Sequence, residues 1–131
     1  MIRVASLILA LLPGMAGAET PITAGAFEAH VTGKTVTYER FGEPFGIEEY
    51  LEGRKVRWSV SPDHCQYGTW YPEGNDICFV YEGDSFPACW TFWLRDGALV
   101  ALSVDNTPGN ELYETALDDS ALPCPGPDVG V

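Results

Sequence analysis

Four cysteines, two histidines and an unusual set of acids are the residues here whose chemistry is worth weighing first. Cys65, Cys78, Cys89 and Cys124 are separated by 13, 11 and 35 residues, with His64 as the only adjacent histidine. Structural zinc takes closely spaced ligand pairs such as C-x-x-C, so this spacing predicts no metal site. A nucleophilic Cys65 activated by His64 would need a free thiol. An even number of cysteines in an exported chain pairs instead, and two structural disulfides are expected. No G-x-S-x-G, H-E-x-x-H or glycine-rich phosphate loop occurs, and no cofactor is implied.

Among the acids, Glu49 stands out. If Gly53-Arg54 forms a two-residue turn, Glu52 meets Lys55, Leu51 meets Val56 and Tyr50 meets Arg57. Glu49 then shares a face with Ile47, Leu51, Val56, Trp58 and Val60, where an apolar setting would raise its pKa. A register slip of one residue would turn it to solvent. Glu48 and Glu49 do not form a catalytic pair, because neighbouring strand residues point to opposite faces. Asp105, Asn106, Asn110 and Glu111 supply oxygen ligands but do not match the calcium-loop spacing, and turn and capping roles account for them. His30 reads as a helix-end or surface residue.

The elements that position these groups begin after a secretory signal. Residues 1–18 combine Arg3, an apolar run and Ala16-Gly17-Ala18 as a cleavage site, so the mature chain is expected to start at Glu19. The apolar run is too short to span a membrane, and a periplasmic or secreted protein without membrane insertion follows. The whole chain carries a net charge of −12. Phosphate backbones and anionic lipid surfaces are poor partners for such a chain, which leaves cationic proteins, cationic small molecules or divalent metals. The expected organisation is one β domain over residues 19–119, an irregular Pro- and Gly-rich tail over 120–131, and a monomer.

Short β-rich runs separated by Gly or Asp turns predict about seven strands in an antiparallel meander: residues 36–39, 47–51, 55–60, 65–71, 77–82, 88–95 and 98–104. Asp96-Gly97 is a type I′ signal that sets Leu94 against Leu99 and Phe92 against Ala101. Gly83-Asp84 as the tightest turn places Cys78 opposite Cys89, leaving Cys65 for Cys124. That register would also oppose Val80 to Pro87, which has no N–H to give, so a longer loop or bulge is expected near residues 85–87. Ile77, Phe79, Tyr81, Trp90, Phe92 and Leu94 line one face, yet the opposite face is apolar too. A sheet greasy on both sides must close into a small barrel or pack as a sandwich, covered by one or two short helices. One is predicted over residues 24–31, capped by Thr23 with Phe27 and Val31 inward. A second begins at Pro108, although residues 111–117 could equally form a strand.

Gly68-Thr69-Trp70, Asp76-Ile77-Cys78-Phe79 and Ala88-Cys89-Trp90, preceded by Trp58, resemble small exported bacterial proteins of unknown function with a lipocalin-like β-meander. The resemblance spans roughly residues 24–103 and implies fold and compartment; it brings no activity or catalytic residues. Cys65, Cys124 and the tail have no place in it. The aromatic surplus and missing catalytic constellation point to a non-catalytic periplasmic binding or interaction module, for instance one that docks a cationic protein. A lipocalin-like binder of a small apolar or aromatic ligand, held near Glu49, Trp58 and Trp70, is the second reading. An enzyme using a single buried carboxylate is the third.

Overall fold

A computed structural model describes residues 19–61 and 63–124; the expected signal segment and the end of the tail lie outside the described residues. Helix α1 (Ala24–Val31) leads into eight antiparallel strands: β1 (Thr35–Arg40), β2 (Glu43–Leu51), β3 (Lys55–Ser61), β4 (His64–Glu73), β5 (Asp76–Tyr81), β6 (Ala88–Arg95), β7 (Ala98–Ser103) and β8 (Leu112–Asp118). Each strand pairs with its neighbour in sequence, and β8 returns to pair with β1, closing a barrel. Closure removes the sheet edges that an open meander would leave unpaired.

The barrel replaces the open choice between barrel and sandwich, and β8 raises the strand count from about seven. Residues 112–118 form that strand in place of the second helix, because Val36↔Leu117 and Thr37↔Ala116 pair across the seam. Leu112 and Ala116, one helical turn apart, fit a helix as well as a strand, and long-range pairing decides between them. The β5–β6 and β6–β7 registers agree with the sequence reading: Cys78 faces Cys89, and Leu94 faces Leu99 across the left-handed Asp96-Gly97 turn. The β5–β6 ladder stops at Phe79↔Ala88, one pair before Val80 would have met Pro87. Leu94, expected inside, is exposed near the end of β6.

Both predicted disulfides are present, Cys78–Cys89 and Cys65–Cys124. The second straps residues 120–124 to the barrel wall, where Leu122 is buried and Thr35 Oγ1 donates to the Ser120 carbonyl. The start of the tail is therefore irregular but docked.

Helix α1 plugs one end. Thr23 Oγ1 accepts from the Ala26 N–H at 3.1 Å, the cap that the sequence predicted. Phe27 and Val31 are fully buried, and the Phe27 ring meets those of Trp70, Tyr50 and Phe92 at 4.7–5.6 Å. Burying one such phenylalanine is worth about 1.5–3 kcal/mol, which helps explain why a helix of two turns stays docked. His30 adds a contact to Glu114 of β8 at 2.9 Å, and Arg54 contacts Glu28 at 3.2 Å. At the opposite end the strands meet in turns and loops, and no helix among the described residues covers them.

Candidate functional site

Registers decide which acid faces the interior. The β2–β3 connection is the three-residue segment Glu52–Arg54, so Leu51 pairs with Lys55, Tyr50 with Val56 and Glu48 with Trp58. Gly53 and Arg54 both take left-handed backbone conformations, at φ 72° and 59°, to make that loop. Relative to a two-residue turn every β2 side chain changes its partner, and β2 has two-residue periodicity. Glu48, not Glu49, therefore points inward beside Trp58.

Glu49 is corrected accordingly. It lies on the outer wall, 3.9 Å from Arg57, and its Oε2 accepts the backbone N–H of Leu122 from the strapped tail. Trp70 is also displaced from the expected mouth. It is buried at the helix-plugged end, with its ring against Phe27 and the Arg54 guanidinium 4.6 Å from its centroid. Trp58 stays where the sequence placed it, at the interior cavity.

That cavity has a volume of about 270 Å³ and opens at the end away from α1. Its walls are mainly aromatic, with Phe45, Trp58, Phe79 and Trp90 prominent, and Gln66 and Asp84 also belong to the lining. Phe41, Val60 and Phe86 are largely exposed on this end of the barrel, giving the opening an apolar lip.

Four of the polar groups inside form two pairs. Tyr81 Oη donates to Glu48 Oε1 at 2.6 Å, and the hydroxyls of Tyr38 and Tyr50 share a hydrogen bond of 2.8 Å. Glu48 Oε2 is buried without a hydrogen-bond partner. Burial pushes the Glu48 carboxyl up to about 8, against which the Tyr81 hydrogen bond acts only partly. Burial also raises Tyr38, Tyr50 and Tyr81, with nearby Glu48 adding to each. The resting interior thus holds a neutral carboxylic acid and three neutral phenols near neutral pH.

Gly46 makes room for this arrangement. A Cβ on Gly46 would lie 2.3 Å from the Trp58 ring. Gly46→Ala is expected to push the indole aside, costing about 1–3 kcal/mol in urea denaturation and shifting the tryptophan emission. Unchanged stability and emission would show that the ring does not depend on the missing side chain.

Other candidates find structural roles. Asn106 Oδ1 accepts the Thr107 N–H, Asn110 Nδ2 donates to the Thr107 carbonyl, and Glu111 accepts the Gly109 N–H, so this acid-rich loop is held by its own turns. His64 is exposed beside Cys65, whose sulfur is in a disulfide. Among the described residues Glu73, Cys78 and Cys89 approach closely enough to suggest metal ligation, but the two sulfurs are bonded to each other. No protein family, curated protein or solved structure matches this chain.

Glu48 itself was missed as a site residue. Sequence alternation correctly separated it from Glu49, but the expected two-residue turn at Gly53-Arg54 put Glu49 on the apolar face in its place. The decisive signal, an extra loop residue with Arg54 in a left-handed conformation, has no residue-type signature.

Proposed function

We propose that this protein is a non-catalytic, exported binding module whose barrel holds a small, mostly apolar ligand with one polar end. The observation that carries this reading is Glu48, a buried acid with an unpartnered oxygen, in the lining of a mainly aromatic cavity. An unpaired buried polar group costs about 1–3 kcal/mol, and a ligand that meets it recovers that loss. Pockets of this kind use apolar walls for affinity and a few polar atoms for orientation. The eight-stranded up-and-down closure supports a lipocalin-like carrier architecture.

The cavity favours this over docking of a cationic protein. Exposed acids stand at both ends of the barrel, such as Glu43 and Asp84 at one and Glu52 and Asp96 at the other, and single out no docking face. It also favours binding over catalysis, since the described lining contains no histidine, cysteine, serine or lysine to work with Glu48. Two disulfides support an oxidising compartment, and the signal-like pattern of residues 1–18 supports a periplasmic or extracellular one. Among the described residues no helix is long and apolar enough to cross a membrane.

Tryptophan fluorescence titration with small aromatic and aliphatic compounds tests the reading, because Trp58 and Trp90 both line the cavity. Saturable changes are expected, and Ala88→Trp, placing a large ring at the exposed edge of the lining, should weaken binding at least tenfold. A spectrum that no compound moves would overturn the proposal.

A further inference from the structure

We infer that the ligand is a small organic ammonium ion, its charged head at Glu48 Oε2 and its hydrocarbon body against Trp58, Trp90 and Phe45. This rests on the cavity being a binding site, as proposed above, and adds the charge and chemistry of what it binds.

The polar inventory of the cavity sets the sign of the charge. Glu48 and Asp84 contribute to the lining, whereas no lysine or arginine does among the described residues. Arg57 lies against Glu49 on the outer wall, and Arg40 lies over the Phe45 ring, 4.6 Å from its centroid, outside the lining. A carboxylate or phosphate ligand would confront two acids, with no cation in the described lining to hold it. A purely apolar ligand would leave Glu48 Oε2 unpaired. An ammonium group can donate to that oxygen while the faces of the surrounding rings attract its charge, as aromatic cages do for alkylammonium ions. The net charge of −12 favours approach of a cation from solution.

Binding then exchanges one cation for another. In the empty cavity the Glu48 carboxyl carries a proton near neutral pH. An arriving ammonium ion favours the carboxylate, and the displaced proton leaves to solvent. The titratable groups facing Glu48 are Tyr81 from β5, Tyr38 from β1 and Tyr50 from β2, with Asp84 from the β5–β6 loop at the mouth. Trp58 from β3, Trp90 from β6, Ala101 from β7 and Leu112 from β8 do not titrate; Glu114 of β8 is held by His30 of α1 and the Leu99 N–H. The tyrosines are pushed upward by burial and stay neutral through pH 9, so the proton released is that of Glu48.

Isothermal titration of the oxidised protein with phenethylammonium chloride, 2-phenylethanol and phenylacetate tests this, run at pH 7 in two buffers of different ionisation enthalpy. The ammonium ion should bind at least tenfold more tightly than the alcohol, releasing close to one proton, and phenylacetate should not bind measurably. Affinity for the ammonium ion should rise almost tenfold from pH 6 to pH 7. Glu48→Gln should lose at least tenfold in ammonium affinity and abolish proton release while still binding the alcohol; the wild-type proton count stands even if that variant folds poorly. Alcohol binding as tight as ammonium binding, without proton release, would overturn the ammonium inference and leave the cavity reading intact. Binding by none of the three, together with no response to the wider fluorescence panel, would overturn both.

Discussion

Glu48→Gln is expected to gain about 4 kcal/mol of stability relative to the wild type between pH 5 and pH 9. In the folded protein the carboxyl is raised from 4.5 to about 8 by burial. Between those values the native state binds more protons than the unfolded chain, so stability falls with rising pH. The contribution is fully present below the unfolded pKa and is lost as pH rises through the folded one. At about 1.4 kcal/mol per pKa unit the full shift corresponds to roughly 4–5 kcal/mol. The glutamine amide retains the shape and can accept from Tyr81 but does not titrate. Its own unmet buried group adds a cost that does not change with pH, so the test is the difference in pH slope. Thermal melts of the two proteins from pH 5 to 9 should diverge by a Tm change on the order of 15 °C. Parallel profiles would mean that Glu48 is ionised in the folded protein over that whole range.

Replacing Cys65 and Cys124 together by serine should destabilise the fold by about 4 kcal/mol, against about 3 kcal/mol for Cys78 with Cys89. The first bridge joins residues 59 apart and the second residues 11 apart, and a longer closed loop restrains the unfolded chain more. The long bridge also holds the segment that covers Glu49 and buries Leu122, so its loss removes native contacts as well. Urea denaturation of both double variants measures the difference, and the m-value should rise as the uncrosslinked chain expands. A larger loss from the short-loop pair would show that local hairpin geometry outweighs the restraint on the unfolded chain.

How far the fold could be read from residues varied with how local the deciding interaction was. Asp96-Gly97 announces its turn by type, and both residues do adopt positive φ. Cys78, Cys89 and Pro87 fixed both the β5–β6 pairing and the place where it ends. The Thr23 cap and the Phe27/Val31 face of α1 were similarly legible. The β2–β3 loop was not: Arg54 in a left-handed conformation is a choice made by surrounding structure, and its single added residue exchanged Glu48 for Glu49. Strand β8 was ambiguous because its fate rests on β1, some eighty residues earlier. Trp58 and Trp70 are both large rings on strands; only closure of the barrel and docking of α1 put one at the cavity and the other beneath the plug. The candidate site was thus legible in its chemistry, an acid among aromatics, but not in its membership.

The seam between β1 and β8 sets the order in which the molecule can be completed. Each other strand pair is a hairpin between sequence neighbours, whereas the seam joins Val36 to Leu117. The groups that fasten α1 and β1 across it, His30 to Glu114, Lys34 to Asp119 and Thr35 to Ser120, likewise draw their partners from the last part of the chain. Pairings of such long range are slow to form relative to hairpins. Until β8 has been synthesised, the cavity has no complete wall and both β1 and β7 present bare edges. A chain cut short before Leu112 is therefore not a smaller vessel but an open sheet, with the interior acid facing water and two strand edges available to another copy.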